Sequence, residues 1–215
     1  MCPARPVRRA PLLLVVAGLL TLTLAACSGG GGEPAAAKTK APEGSTLDLV
    51  AGDVRVESTG NPGTLADADR DAIVDTVRKY VIAATIDPMH GKKVGDLTPL
   101  FTPQAGAALA GFDRAAALDE GVPKASGTVK VESAPLLLTA LSDPSGAINL
   151  VGTSLYLDAK ADSDRGPIRV QRSGELVLTR DAGTWKISSF KLAADRTGAG
   201  LRGLTTTSTT ADSTP

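Results

Sequence analysis

Between Thr64 and Asp87 the apolar residues Ile73, Val74, Val77, Val81 and Ala84 recur at three- and four-residue steps, with Asp75, Arg78 and Lys79 between them. That period predicts an amphipathic helix. Thr64-Leu65-Ala66-Asp67 has the spacing of a capping box, and Asp67, Asp69 and Asp71 gather where the positive end of the helix dipole would lie. The helix is therefore expected to start at Thr64 and to end near Asp87-Pro88. From Asp96 to Leu118 the helical pattern breaks into short pieces, with Thr102-Pro103 as a cap and first-turn proline and Gly111 and Gly121 as stops. Leu47 to Glu57 reads as a small hairpin around Gly52-Asp53.

From Gly127 onward the period changes to two. Val129 and Val131 alternate with Lys130 and Glu132, Pro135 interrupts, and the run continues to the turn at Ser142-Asp143-Pro144-Ser145-Gly146. Ile148 and Leu150 then switch parity to Leu155 and Leu157, and a bulge at Gly152 would place all four on one face. Ile168, Val170, Leu176 and Leu178 alternate cleanly, and a last strand over 184–192 switches parity at Ser188-Ser189. Helices followed by four strands on short turns predict an α+β fold, with the amphipathic helix and short helices packed on a curved, four-stranded antiparallel meander.

Composition narrows the function classes. The 23 basic and 23 acidic residues cancel. If the leader 1–26 is removed, Arg5, Arg8 and Arg9 leave with it, and the remaining chain is slightly acidic. No basic stripe marks a nucleic-acid surface, so no nucleic-acid partner is expected. Cofactors are expected to be none: His90 is the one histidine and Cys2 and Cys27 the two cysteines, too few for the usual zinc or iron–sulfur ligand sets.

Leu24-Ala25-Ala26-Cys27 follows an apolar run, Leu12 to Leu24, that itself follows Arg5, Arg8 and Arg9. This arrangement resembles the lipobox of bacterial lipoproteins. The run is shorter than the ~20 apolar residues of a membrane span, so a cleaved leader over 1–26 is expected. The resemblance implies a lipid-modified Cys27 and an exported domain anchored to the cell membrane, where two or three acyl chains hold stably. Residues 27–45, rich in Gly, Ala, Pro and Lys, read as a flexible tether, 46–195 as a single domain with its core over 64–193, and 196–215 as a disordered Ser/Thr-rich tail.

The helix over 64–87, the connector Leu97-Thr98-Pro99-Leu100-Phe101-Thr102-Pro103 and the terminal Leu178-Thr179-Arg180-Asp181-Ala182-Gly183-Thr184-Trp185-Lys186-Ile187 hairpin together resemble the nuclear-transport-factor-2-like superfamily. Among exported members the likeness is to Mce-associated proteins and small actinobacterial lipoproteins. The resemblance implies a cone-like fold, and enzymes of that superfamily work through acids, bases and tyrosines in the cone cavity. Here the counterparts would be Tyr80, Asp87 and Tyr156, with His90 as a base beside Asp87 and Arg172 as an anion clamp.

Each candidate also has a structural reading. Tyr80 can rest its ring on the core, and His90 stands beside Gly91, Lys92 and Lys93 in what reads as an exposed loop. Arg172 shares strand parity with Ile168, Val170, Leu176 and Leu178, so its guanidinium is expected on the apolar face, where a charge needs a partner such as Asp75. Ser133, Thr139 and Thr153 have no histidine in a recognisable elbow.

The expectation is thus a lipid-anchored, extracytoplasmic binding or accessory module of the cell envelope, non-catalytic, engaging the membrane through Cys27 and an envelope protein partner. The polar outer positions Arg169, Gln171 and Glu175 lean toward a monomer. The alternatives are a cone-cavity acid–base enzyme using Tyr80, Asp87 and His90, and a carrier of lipid or a small apolar ligand.

Overall fold

The computed structural model describes residues 47–111, 114–204 and 209–213, the last three of them by backbone alone. The leader 1–26, the lipobox residue Cys27 and the tether 27–45 lie outside the described residues. In chain order, β1 (Ala51–Ser58) precedes α1 (Asp67–Val81), a π-helical turn (Ile82–Ile86) and α2 (Asp87–Met89). A 3-10 turn (Thr98–Leu100), α3 (Pro103–Ala108) and α4 (Arg114–Ala117) follow. The rest is strand: β2 (Lys130–Ser133), β3 (Leu136–Ser142), β4 (Ile148–Ser163), β5 (Gly166–Asp181), β6 (Thr184–Thr197) and β7 (Thr209–Ser213), with a 3-10 turn (Ala199–Leu201) before the last.

This architecture overturns the expected four-stranded, nuclear-transport-factor-2-like meander. Among the described residues the sheet dominates and has seven strands, in the order β1-β3-β4-β5-β6-β7, with β2 also on β4. It is mixed, because β1 runs parallel to β3. Three local features account for the difference. The segment read as a hairpin around Gly52-Asp53 is one strand, and its pairing to β3 slips between Ala51 and Val54. The run interrupted by Pro135 is two strands that divide the 16-residue β4 between them, β3 on its first part and β2 on 157–160. The segment 196–215, read as a tail, carries β6 on to Thr197, buries Leu201 and supplies β7, which pairs with β6.

Other local expectations change or hold for identifiable reasons. β4 pairs with β5 without a slip at Gly152, so Leu155 and Leu157 face the core while Ile148 and Leu150 lie half-buried at opposite parity. In β6, Val177 pairs with Ser189 and Leu178 with Ile187, which leaves Ser188 as an extra residue, and the bulge puts Trp185, Ile187, Phe190 and Leu192 on one buried face. The hairpin before it turns on Ala182 (φ 47°) and Gly183 (φ 83°), the two left-handed positions of a tight two-residue loop.

Helix α1 begins at Asp67 with Ala66 as its cap residue, and no side chain caps it, so the capping box does not form. Asp69 instead accepts from Trp185 Nε1 at 3.0 Å and from Arg180, whose guanidinium lies 5.2 Å from the Trp185 ring centre. Thr102 does cap α3, its hydroxyl accepting from Ala105 N–H at 3.4 Å.

The apolar stripe of α1, Ile73, Val77 and Val81, is buried in the core with Leu157, Val170, Leu176 and Ile187 of the sheet. Each such side chain contributes about 1.5–3 kcal/mol on burial. Tyr80, Phe101 and Phe190 form an edge-to-face chain at 5.8 and 6.1 Å. Thr76 Oγ1 donates to Trp185 O at 3.3 Å, a link from α1 to β6. The π-helical turn inserts one residue into the helical repeat, and Ala84, Thr85 and Ile86 within it are all buried.

Candidate functional site

Among the described residues, the largest fully buried side chain is that of Arg172. Strand alternation puts it there: Ile168, Val170, Arg172, Leu176 and Leu178 of β5 are all buried. Gly174 lets the strand pass, since its φ is 145° and a Cβ there would stand 2.1 Å from Lys191 O of β6. No bulge at this glycine turns Arg172 outward.

The guanidinium meets Asp119, whose carboxylate is also fully buried. Arg172 Nη2 donates to Asp119 Oδ2 at 2.7 Å, Nη1 to Ala116 O at 2.5 Å and to Tyr80 Oη at 3.4 Å, and Nε to Thr85 Oγ1 at 3.3 Å. The other carboxylate oxygen accepts from Arg196 Nε at 2.7 Å. Thr85 Oγ1 donates to Asp119 Oδ2 at 2.6 Å, and Tyr80 Oη donates to Ala117 O at 2.7 Å. Arg196 Nη2 reaches Ala115 O at 2.6 Å and Leu118 O at 3.0 Å.

These acceptors share one origin. A helix leaves its last carbonyls without intrahelical partners, and α4 is so short that the carbonyls of Ala115, Ala116, Ala117 and Leu118 all need donors. Arg196, Arg172 and Tyr80 supply them from β6, β5 and α1 respectively. Positive charge at this end also suits the helix dipole. Among the described residues no buried side-chain nitrogen or oxygen lacks a hydrogen-bond partner.

Electrostatics fixes the protonation states. Burial raises the Asp119 carboxyl, but the Arg172 and Arg196 charges and the Thr85 hydroxyl outweigh it and hold the group below the ordinary carboxylate value. Burial pushes the Tyr80 phenol up, only partly offset by Arg172, so the hydroxyl stays a donor. Burial works against the Arg172 cation, yet Asp119 and Tyr80 raise it further. A constant carboxylate, a constant phenol and the constant Arg172 cation position groups; each of the three shifts away from neutral pH.

The expected site residues divide. Arg172 and Tyr80 come together. The partner of Arg172 is Asp119, whereas Asp75 pairs with Lys79 at 2.7 Å and Arg78 at 3.8 Å along α1. Asp87 accepts from Lys92 Nζ at 2.8 Å, a separate exposed contact. His90 is half-buried and ends α2, its backbone N–H donating to Ile86 O and Asp87 O. Tyr156 points out of the sheet at 42% exposure, with Gln171 Nε2 3.5 Å from its hydroxyl.

Asp119, Thr85 and Arg196 were not anticipated. Arg196 had a signal: Phe190, Leu192, Ala194 and Arg196 alternate along β6, so the parity that marks Arg172 marks it too. No group of three or more metal-binding side chains occurs among the described residues, and no helix among them is long and apolar enough to cross a membrane. Comparison of the chain with protein-family models, with curated proteins and with solved structures finds no match.

Proposed function

We propose that this protein is a lipid-anchored, extracytoplasmic binding or accessory module of the cell envelope that carries out no chemical step of its own. The observation that carries the reading is the closure of the buried network. Arg172, Asp119, Tyr80, Thr85 and Arg196 are bonded to one another and to the carbonyls at the end of α4. They serve to fasten a helix end to a sheet, which leaves recognition to groups that solvent can reach, Arg196 at the edge of the network among them. The Leu24-Ala25-Ala26-Cys27 sequence supports the anchored location.

Fractionation of cells expressing the full chain tests the location. The expected result is recovery of the protein with membranes and its release to the soluble exported fraction by Cys27→Ser, with a mass increment of acyl chains lost in the variant. A Cys27→Ser protein that stays with the membranes as fully as the parent would remove the anchored reading.

A further inference from the structure

Arg172 and Arg196 share one carboxylate, so the network carries one positive charge more than it balances among the described residues. A buried charge in excess is costly unless a counter-charge reaches it. Arg196 is the member that can be reached, at 10% exposure, whereas Arg172 and Asp119 have none. Its Nη1 nitrogen has a single partner among the described residues, Thr209 Oγ1 at 3.2 Å, and so retains a second N–H.

Arg196 lines a cavity of about 460 Å³ whose apolar walls include Leu118, Val122, Leu201 and Leu204. That size falls within the roughly 300–1,000 Å³ of small-molecule sites, which are apolar with a few placed polar groups. Arg114 and Glu120 also line it, but they neutralise each other as an ion pair. Among the described residues, the cavity therefore joins oily walls to one cation in excess of the carboxylates that meet it.

We infer that this cavity binds a monocarboxylate with a short apolar body, its carboxylate on Arg196 and its chain against Leu118, Leu201 and Leu204. A single excess charge suits a monoanion better than a phosphate dianion, which would overcompensate it. Charge-assisted hydrogen bonds to a guanidinium are among the stronger ones available, and the carboxylate can accept while Asp119 keeps Nε. The inference gives the binding module a ligand class without resting on the anchor.

The test is calorimetric titration of the full chain carrying Cys27→Ser, a change that is silent if Cys27 bears no lipid, with octanoate and with octanol. Octanoate should bind one per chain and at least about tenfold more tightly than octanol, the discrimination expected from one charge-assisted contact. Arg196→Gln should erase the preference. Because that variant disturbs the network and can fail to fold, Leu204→Glu serves as the second probe: it places a like charge on a half-buried wall and should abolish octanoate binding with the thermal transition retained. Equal binding of octanoate and octanol, binding of neither, or octanoate affinity unchanged by Leu204→Glu would each overturn the proposal, whatever the outcome of the membrane fractionation.

Discussion

Asp119 and Asp158 are each held by two cations, and their surroundings make them opposites. Asp119 has no exposure and sits between Arg172 and Arg196, at 0% and 10%. Asp158 is left only 3% exposed, but by the side chains that clasp it: Arg169 at 2.8 Å and Lys160 at 2.9 Å, themselves 42% and 43% exposed. The first carboxylate ties the end of α4 to β5, β6 and the π-helical turn. The second ties residues of adjacent strands β4 and β5 on the sheet surface. For Asp119, burial is the largest influence on the group and opposes its charge; for Asp158 the Arg169 hydrogen bonds are, and they favour it. Equal numbers of ion pairs thus say little about stability until the solvation of the partners is known.

Asp119→Ala should have the largest effect, because it leaves two cations without their counter-ion, one of them fully buried. Breaking a buried pair from one side costs about 3–5 kcal/mol. For a domain of this size each kcal/mol moves Tm by about 2–4 °C, so the midpoint should fall by about 10 °C. Thermal denaturation followed by circular dichroism reads it. A shift no larger than that of a surface ion pair would mean that Asp119 is solvated in solution.

Arg172→Met comes next. Methionine fills similar volume, and Asp119 keeps Arg196 and Thr85, so no charge is stranded. What remains is the Ala116 carbonyl without its donor, a loss of about 1–3 kcal/mol for a buried unsatisfied group. The denaturation midpoint should fall between those of Asp119→Ala and the parent. An Arg172→Met protein less stable than Asp119→Ala would show that the guanidinium, rather than the carboxylate, organises the site.

The two sides of this network were unequally legible in the sequence. Arg172 announces itself by breaking an otherwise apolar alternation, and Arg196 does the same one strand later, because strand parity is a local property. Asp119 does not: its contact with Arg172 spans 53 positions, and an acid after a short helix looks like any solvated residue. The outer strands were illegible for a related reason. Val50 and Val54 near and on β1 are 48% and 38% exposed, so alternation there carries no burial signal. β7 is held by backbone pairing to β6, and its Thr/Ser composition resembles that of an unstructured tail.

The smallest effect belongs to Asp158, and pH separates it from Asp119. At neutral pH Asp158→Asn should move the midpoint by only a small fraction of the Asp119→Ala shift, since its partners are solvated and lose little when released. In acid it becomes visible. The Arg169 and Lys160 hydrogen bonds hold the folded carboxyl at about 2 against an ordinary 3.8. Above that ordinary value both folded and unfolded states are ionised, and the contribution to stability is whole. Between about 4 and 2 the unfolded chain takes up the proton first, so lowering the pH favours unfolding, and below the folded value the contribution is gone. Asp158→Asn should therefore flatten the acid limb of the stability curve over that interval while leaving the neutral plateau nearly in place. Asp119, also depressed, adds its own acid-side loss to the parent and this variant alike. Urea denaturation at stepped pH measures the slope; an acid limb equally steep in parent and variant would mean that Arg169 and Lys160 do not hold Asp158 in solution, and that the surface clasp is looser than its distances.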